Sequence, residues 1–172
     1  AWYYNTDGFG NFSAPIIIST QVQFPYSVYA ADLDQDGDLD VLSASAGDHK
    51  IAWYENLDGL GTFGPQKIIM DNALLAAAVV AADLDGDGDL DVLAASSGDN
   101  TIAWYENDGH GNFGKAQVIT NKAAFTFSVV AADLDGDGDL DVIASSAEGD
   151  KITWYENLTP LKRYFPIIFR NP

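Results

Sequence analysis

Three stretches of this chain each place five aspartates in nine residues. They are Asp32, Asp34, Asp36, Asp38 and Asp40; Asp83, Asp85, Asp87, Asp89 and Asp91; and Asp133, Asp135, Asp137, Asp139 and Asp141. No basic residue lies inside any of the three. Carboxylates this close repel one another, and a folded chain holds them together when a cation neutralises them. Alternate side chains of a tight loop can turn onto one point. That suits a hard cation taking about six to eight oxygen ligands in flexible geometry, which is Ca²⁺. Positions 1, 3 and 5 would give side-chain oxygens, position 7 a backbone carbonyl, and position 9 a closing carboxylate. Gly37, Gly88 and Gly138 stand at position 6, where a sharp bend makes a Cβ costly. Mg²⁺ fits less well, because it demands near-ideal octahedral geometry and keeps its waters.

The first nine positions match an EF-hand loop, but the twelfth does not. An EF-hand places a bidentate Glu there; this chain has Ser43, Ala94 and Ala144. The segments leaving the loops, Asp-Val-Leu-Ser-Ala-Ser and Asp-Val-Ile-Ala-Ser-Ser, read as strands rather than helices. The helix–loop–helix sensor is therefore rejected and the metal is kept.

The elements that must position these loops also repeat. Trp2-Tyr-Tyr-Asn5 matches Trp53-Tyr-Glu-Asn56, Trp104-Tyr-Glu-Asn107 and Trp154-Tyr-Glu-Asn157. Asp7-Gly-Phe-Gly-Asn-Phe12 matches Asp58-Gly-Leu-Gly-Thr-Phe63 and Asp108-Gly-His-Gly-Asn-Phe113. The tryptophans recur at 51, 51 and 50 residues, the lost residue lying between Asn107 and Asp108. A period near 50 indicates a propeller or solenoid. The middle copy predicts four strands: Ala78–Ala82, Asp91–Ser96, Thr101–Asn107 and Lys115–Thr120. The alanine-rich first segment has helical propensity. Its counterparts, Tyr26–Ala30 after Pro25 and the aromatic, β-branched Phe125–Val130, assign it to a strand.

Four short antiparallel strands per unit make a β-propeller blade. With its three Asp-x-Asp-x-Asp-Gly-x-x-Asp loops between strands, and Phe63-Gly64 and Phe113-Gly114, the chain resembles the FG-GAP/VCBS repeat family, related to integrin α-subunit propellers. The resemblance covers roughly residues 1–157. It implies a Ca²⁺ in the inter-strand loop of each blade, in extracellular or cell-surface proteins. The expected fold is all-β: propeller-type blades in three full repeats (units about 2–52, 53–103 and 104–153) plus a stub from Trp154. Three blades do not close a ring, since closed propellers have about four to eight. The expectation is thus an incomplete propeller or a tandem assembly, completed by further repeats or by other copies of the chain. Residues 158–172 form a tail, read as a linker or a docking strand.

Net charge is −18, and the three loops hold 15 of the 26 acidic residues. Three bound Ca²⁺ would bring the balance to about −12. Such a surface repels phosphates, which argues against nucleic acid. The chain has no cysteine; calcium in place of disulfides suits a bacterial surface or secreted protein. No apolar run is long enough to span a membrane. Asn11-Phe-Ser13 and Asn157-Leu-Thr159 fit the N-glycosylation acceptor pattern.

No catalytic constellation stands out, and the expectation is a non-enzyme. His49 and His110 do not recur in all units, and each sits in a polar turn, where solvated surface is expected. Glu55, Glu106 and Glu156 recur once per repeat, which suggests architecture. Trp2, Trp53, Trp104 and Trp154 are either packing between blades or platforms for sugar rings, with packing favoured. The expectation is a Ca²⁺-stabilised extracellular structural or adhesive repeat protein, able to build a fibre. A lectin-like module binding surface glycans, or a non-catalytic part of a secreted polysaccharide-active enzyme, is the alternative.

Overall fold

The computed structural model describes residues 1–158. The tail assigned from sequence to residues 158–172 lies, after Leu158, outside the described residues. Among the described residues there is no helix, and so none able to cross a membrane. Eleven strands form three antiparallel sheets. The first contains β1 (Pro25–Ala31), β2 (Asp40–Ser45), β3 (Lys50–Tyr54) and β4 (Lys67–Met70), in chain order. The second repeats it with β5 (Ala76–Ala82), β6 (Asp91–Ser96), β7 (Thr101–Tyr105) and β8 (Gln117–Thr120). The third holds β9 (Thr126–Ala132), β10 (Asp141–Ser146) and β11 (Lys151–Tyr155). The sequence-based expectation of all-β blades is the fold observed. The alanine-rich segment is indeed a strand, with Val79 facing Ala94 and Val80 facing Leu93.

A repeat counted from its tryptophan straddles two sheets. Residues 1–18 therefore belong with a third and a fourth strand: Trp2 bridges Ile16 and Asn5 bridges Phe12. The Trp2 strand is paired on that side only, among the described residues.

The sheets stack face to face, and two cores lie between them. The period-2 alternation of strands decides which residue goes to which core. Between the first and second sheets lie Leu33, Leu42, Ile51 and Trp53 on one side, and Val79, Val92 and Tyr105 on the other. Between the second and third lie Leu84, Leu93 and Ile102 against Val129 and Val142, with Trp104 and Tyr155 partly buried. Equivalent positions thus do the same work in successive units.

Trp53 is packing, not platform. It is 1% exposed. Its ring lies directly against Gly111 of the next unit and edge-on to Phe113, with centroids 6.4 Å apart. Trp2 lies in the same way against Gly61. Gly111 has φ +70°, and a Cβ there would collide with the Trp53 ring. Gly111→Ala is therefore expected to destabilise the fold by about 1–3 kcal/mol, from left-handed strain and overpacking together. Chemical denaturation measures it; an unchanged midpoint would contradict the packing described.

Candidate metal centre

Each acidic run forms the loop between the first two strands of a sheet, 32–39, 83–90 and 133–140. The loops fold because the position-1 aspartate accepts backbone N–H groups ahead of it. In the second loop Asp83 Oδ1 accepts from Gly86 N at 2.7 Å and Oδ2 from Gly88 N at 3.1 Å. Asp133 repeats the pair with Gly136 and Gly138. The first loop has Gln35 where the others have Gly86 and Gly136, and Asp32 there accepts only from Gly37.

Each loop brings at least three carboxylates together, but not the same set in every loop. Carboxylate oxygens of Asp32, Asp34 and Asp36 lie within 4.8 Å of one another, as do those of Asp133, Asp135 and Asp137. In the second loop the group is Asp83, Asp85 and Asp91, and Asp87 falls in a second group with Asp85 and Glu106. Glu106, assigned from sequence to architecture alone, therefore borders the metal loop. Asp38 and Asp89, expected to ligate through their carbonyls, carry their carboxylates against the glycine turn that follows the third strand, whereas Asp139 keeps its carboxylate beside Asp137. Asp38 packs on Gly59, and a Cβ at Gly109 would sit 2.8 Å from Asp89 Oδ1.

The position-9 aspartates are buried and fastened. Asp40 Oδ1 accepts from Asn56 N at 2.9 Å and Oδ2 from Leu33 N at 3.0 Å. Asp91 does the same with Asn107 and Leu84, and Asp141 with Asn157 and Leu134. These carboxylates close the loop onto the chain just past the third strand, and Asp91 also lies with Asp83 and Asp85 in the cluster. Each oxygen has two lone-pair sites, so the N–H bonds leave capacity for a cation. Burial pushes the carboxyl of Asp91 up to about 7 and that of Asp40 up to about 6, although the N–H bonds oppose it. Burial and the charge of Asp36 raise Asp34 as well.

The residues present fit a divalent cation. Asp32 Oδ1 and Asp34 Oδ1 are buried and find no hydrogen-bond partner, and so is Asp139 Oδ1 in the third loop. A buried anionic oxygen without a donor is costly, and a cation removes that cost. Asp32, Asp34, Asp36 and Asp40, with their counterparts, would hold it. A bound cation supplies charge neutralisation and a fixed coordination centre.

Side chains that sequence reasoning passed over tie neighbouring loops together. Asn107 Nδ2 donates to Leu33 O at 2.7 Å in the first loop and to Leu90 O at 3.0 Å in the second. Asn157 Nδ2 likewise reaches Leu84 O at 2.9 Å and Leu140 O at 3.3 Å. That amide is the group a glycan would need, so the acceptor pattern at Asn157 serves a structural role. Gln35 Nε2 donates to Asp89 Oδ1 at 2.5 Å across the same boundary. The signal in sequence was the invariant Asn after each Trp-Tyr-Glu or Trp-Tyr-Tyr; its partner was not readable. His49 is also not merely solvated: its Nδ1 accepts from Leu75 N at 3.2 Å, joining the first sheet to the approach to β5.

Stacked propeller-type blades, each with an acidic loop between its first two strands, define a β-repeat architecture. Residues 1–43, 35–94 and 83–144 match the FG-GAP-like repeat in turn, and the chain belongs to that family. No curated protein matches it significantly. Among solved structures, it is similar to an Agrocybe aegerita lectin described as specifically recognising non-reducing terminal N-acetylglucosamine. Identity is 24% and the TM-score 0.49, over 76% of this chain and 38% of the lectin. It is also similar to the V. cholerae biofilm matrix protein Bap1, at 28% identity and TM-score 0.43, over 70% of this chain and 17% of Bap1. The chain thus spans well under half the length of either.

Proposed function

We propose that this FG-GAP-like module is a calcium-stabilised structural or adhesive unit of an extracellular protein. The observation that carries the reading is the set of buried, donorless carboxylate oxygens, Asp32 Oδ1 and Asp34 Oδ1, inside a converging acidic cluster. Ca²⁺ in each loop pins the hairpin between the first two strands and neutralises carboxylates that burial otherwise disfavours. Extracellular calcium is about millimolar, enough for weak modular sites. The acidic side chains are committed to the cation, so the module is non-catalytic and works by presenting a rigid surface. It stacks against further repeats by the interface already used twice within the chain.

Calcium titration by calorimetry tests the reading. The expected result is three Ca²⁺ per chain, falling to two in the Asp83→Ala/Asp85→Ala variant with the other loops intact. Absence of saturable binding up to about 5 mM Ca²⁺, beyond the weak extracellular range, would sink it.

A further inference from the structure

The glutamate that follows each Trp-Tyr pair is held by the same backbone bonds in the first two acidic-loop units. Glu55 O accepts from Gly64 N at 2.8 Å, and Glu106 O from Gly114 N at 2.7 Å. The next residue is fixed as well: Asn56 N donates to Asp40 and Asn107 N to Asp91. The two side chains nevertheless go to different places. Glu55 Oε2 accepts from Lys67 Nζ at 2.6 Å, and that ammonium also lies 4.2 Å from the Trp53 ring centroid. Gln117 stands at the position of Lys67, each facing the tryptophan of its own sheet's third strand. Gln117 Nε2 donates to Glu106 Oε2 at 3.4 Å, and a neutral amide does not cancel the carboxylate's charge. Glu106 also turns to the acidic loop, where its carboxylate comes within 4.8 Å of those of Asp85 and Asp87. Neither Glu55 nor Glu156 joins the corresponding group of its own loop.

A second, independent observation points to a ligand at the same place. Asp87, Glu106, Asn107, Asp108 and Asn112 line one cavity beside the second loop. Asn107 is buried, yet its Oδ1 finds no hydrogen-bond partner. In the two preceding units the glycine turn satisfies that oxygen: Asn56 Oδ1 accepts from Gly61 N at 3.1 Å, and Asn5 Oδ1 from Gly8 N at 2.9 Å. The turn after Asn107 is one residue shorter, and that donor is lost. A buried acceptor without a donor is costly, and a cation, or a water held by one, removes the cost.

We propose that Glu106 is a further ligand residue of the second acidic loop, and that the three cation sites of this chain are therefore unequal. The inference rests on the metal reading above and deepens it. The second loop offers Ca²⁺ the carboxylates of Asp83, Asp85, Asp87 and Asp91, and Glu106 adds one that the other loops lack. Calcium affinity rises with the charge count and rigidity of the ligand set, and the bonds at Glu106 O and Asn107 N hold Glu106 rigidly beside the loop. The second site fills first.

The test follows the amides of Gly37, Gly88 and Gly138, one in each loop, by heteronuclear NMR during Ca²⁺ titration. It compares the unaltered chain with Glu106→Gln and Gln117→Lys. In the unaltered chain Gly88 should reach its midpoint at about tenfold lower calcium than the other two. Glu106→Gln should raise the Gly88 midpoint by about tenfold or more and leave Gly37 and Gly138 within about twofold. Gln117→Lys gives the second unit the ion pair of the first, and should move Gly88 in the same direction. Melts in chelator separate ligation from packing. Glu106→Gln removes a charge from a crowded cluster, so its thermal midpoint without calcium should equal or exceed that of the unaltered chain, and fall below it in calcium. A Gly88 midpoint unmoved by Glu106→Gln, with all three loops still saturating, would overturn this inference alone. Three glycines that never respond to calcium would overturn the metal reading with it.

Discussion

Chelating calcium is expected to lower the thermal midpoint of this chain by on the order of 20 °C in low-salt buffer at pH 7.5. The size follows from linkage. A cation that binds only the folded state, at about 100 times its Kd, stabilises by about 2.7 kcal/mol per site. Three independent sites give about 8 kcal/mol, and a chain of this length loses roughly 2–4 °C per kcal/mol. The metal-free state is poor for a local reason. Asp40 and Asp91 are buried carboxylates whose protonation burial favours, and the donorless oxygens of Asp32 and Asp34 sit beside Asp36. The hairpins should loosen first, so limited proteolysis after chelation should cut within 32–40, 83–91 or 133–141 before cutting β6 or β7. Circular dichroism melts with calcium, with chelator, and with chelator followed by excess calcium make the measurement. Superimposable melts would mean that the loops hold themselves together without a cation.

The parts of this molecule that could be read from sequence are those whose cause is local. An acidic loop declares itself because its ligands lie within nine residues and occur three times. The strand character of Ala76–Ala82 was readable only by comparison with Tyr26–Ala30 and Phe125–Val130, since alanine's own preference is helical. Trp53 was readable as packing, because a large aromatic alternating with Ile51 suits a buried strand face. What was hidden depends on residues far apart in the chain. Asn107 meets Leu33 across 74 positions, and Gln35 meets Asp89 across 54. Nothing in either segment alone names the partner. Glu106 was hidden for a related reason: its repetition suggested architecture, while its approach to Asp85 and Asp87 depends on how the third strand lies beside the loop. The position-9 aspartates had one legible role, closing the cluster, and one illegible role, accepting two backbone N–H groups, one inside the acidic loop and one just past the third strand.

Asn107→Ala is expected to cost about 3 kcal/mol and to disturb two loops at once. The side chain is 1% exposed. Its Nδ2 satisfies Leu33 O and Leu90 O, carbonyls embedded in the first and second acidic loops. Alanine leaves both without that donor, and an unmade buried hydrogen bond costs about 1–3 kcal/mol. The backbone N–H of residue 107 still reaches Asp91 Oδ1, so the second loop stays closed while its tie to the first is cut. Leu33 sits between Asp32 and Asp34, so its carbonyl fixes the backbone that aims both ligands. The variant should therefore bind calcium more weakly in the first loop as well as the second, although the substituted residue lies in neither. Asn112→Ala is the control: Asn112 bonds exposed Asp108 five positions away from the tie and should leave stability and calcium binding nearly unchanged. A cycle with Asp34→Ala separates the contributions. If Asn107 acts by positioning the first loop, removing it after that loop's ligand is gone costs less calcium affinity than removing it from the parent. Strictly additive losses would mean that Asn107 only holds the sheets together and has no influence on the metal loops.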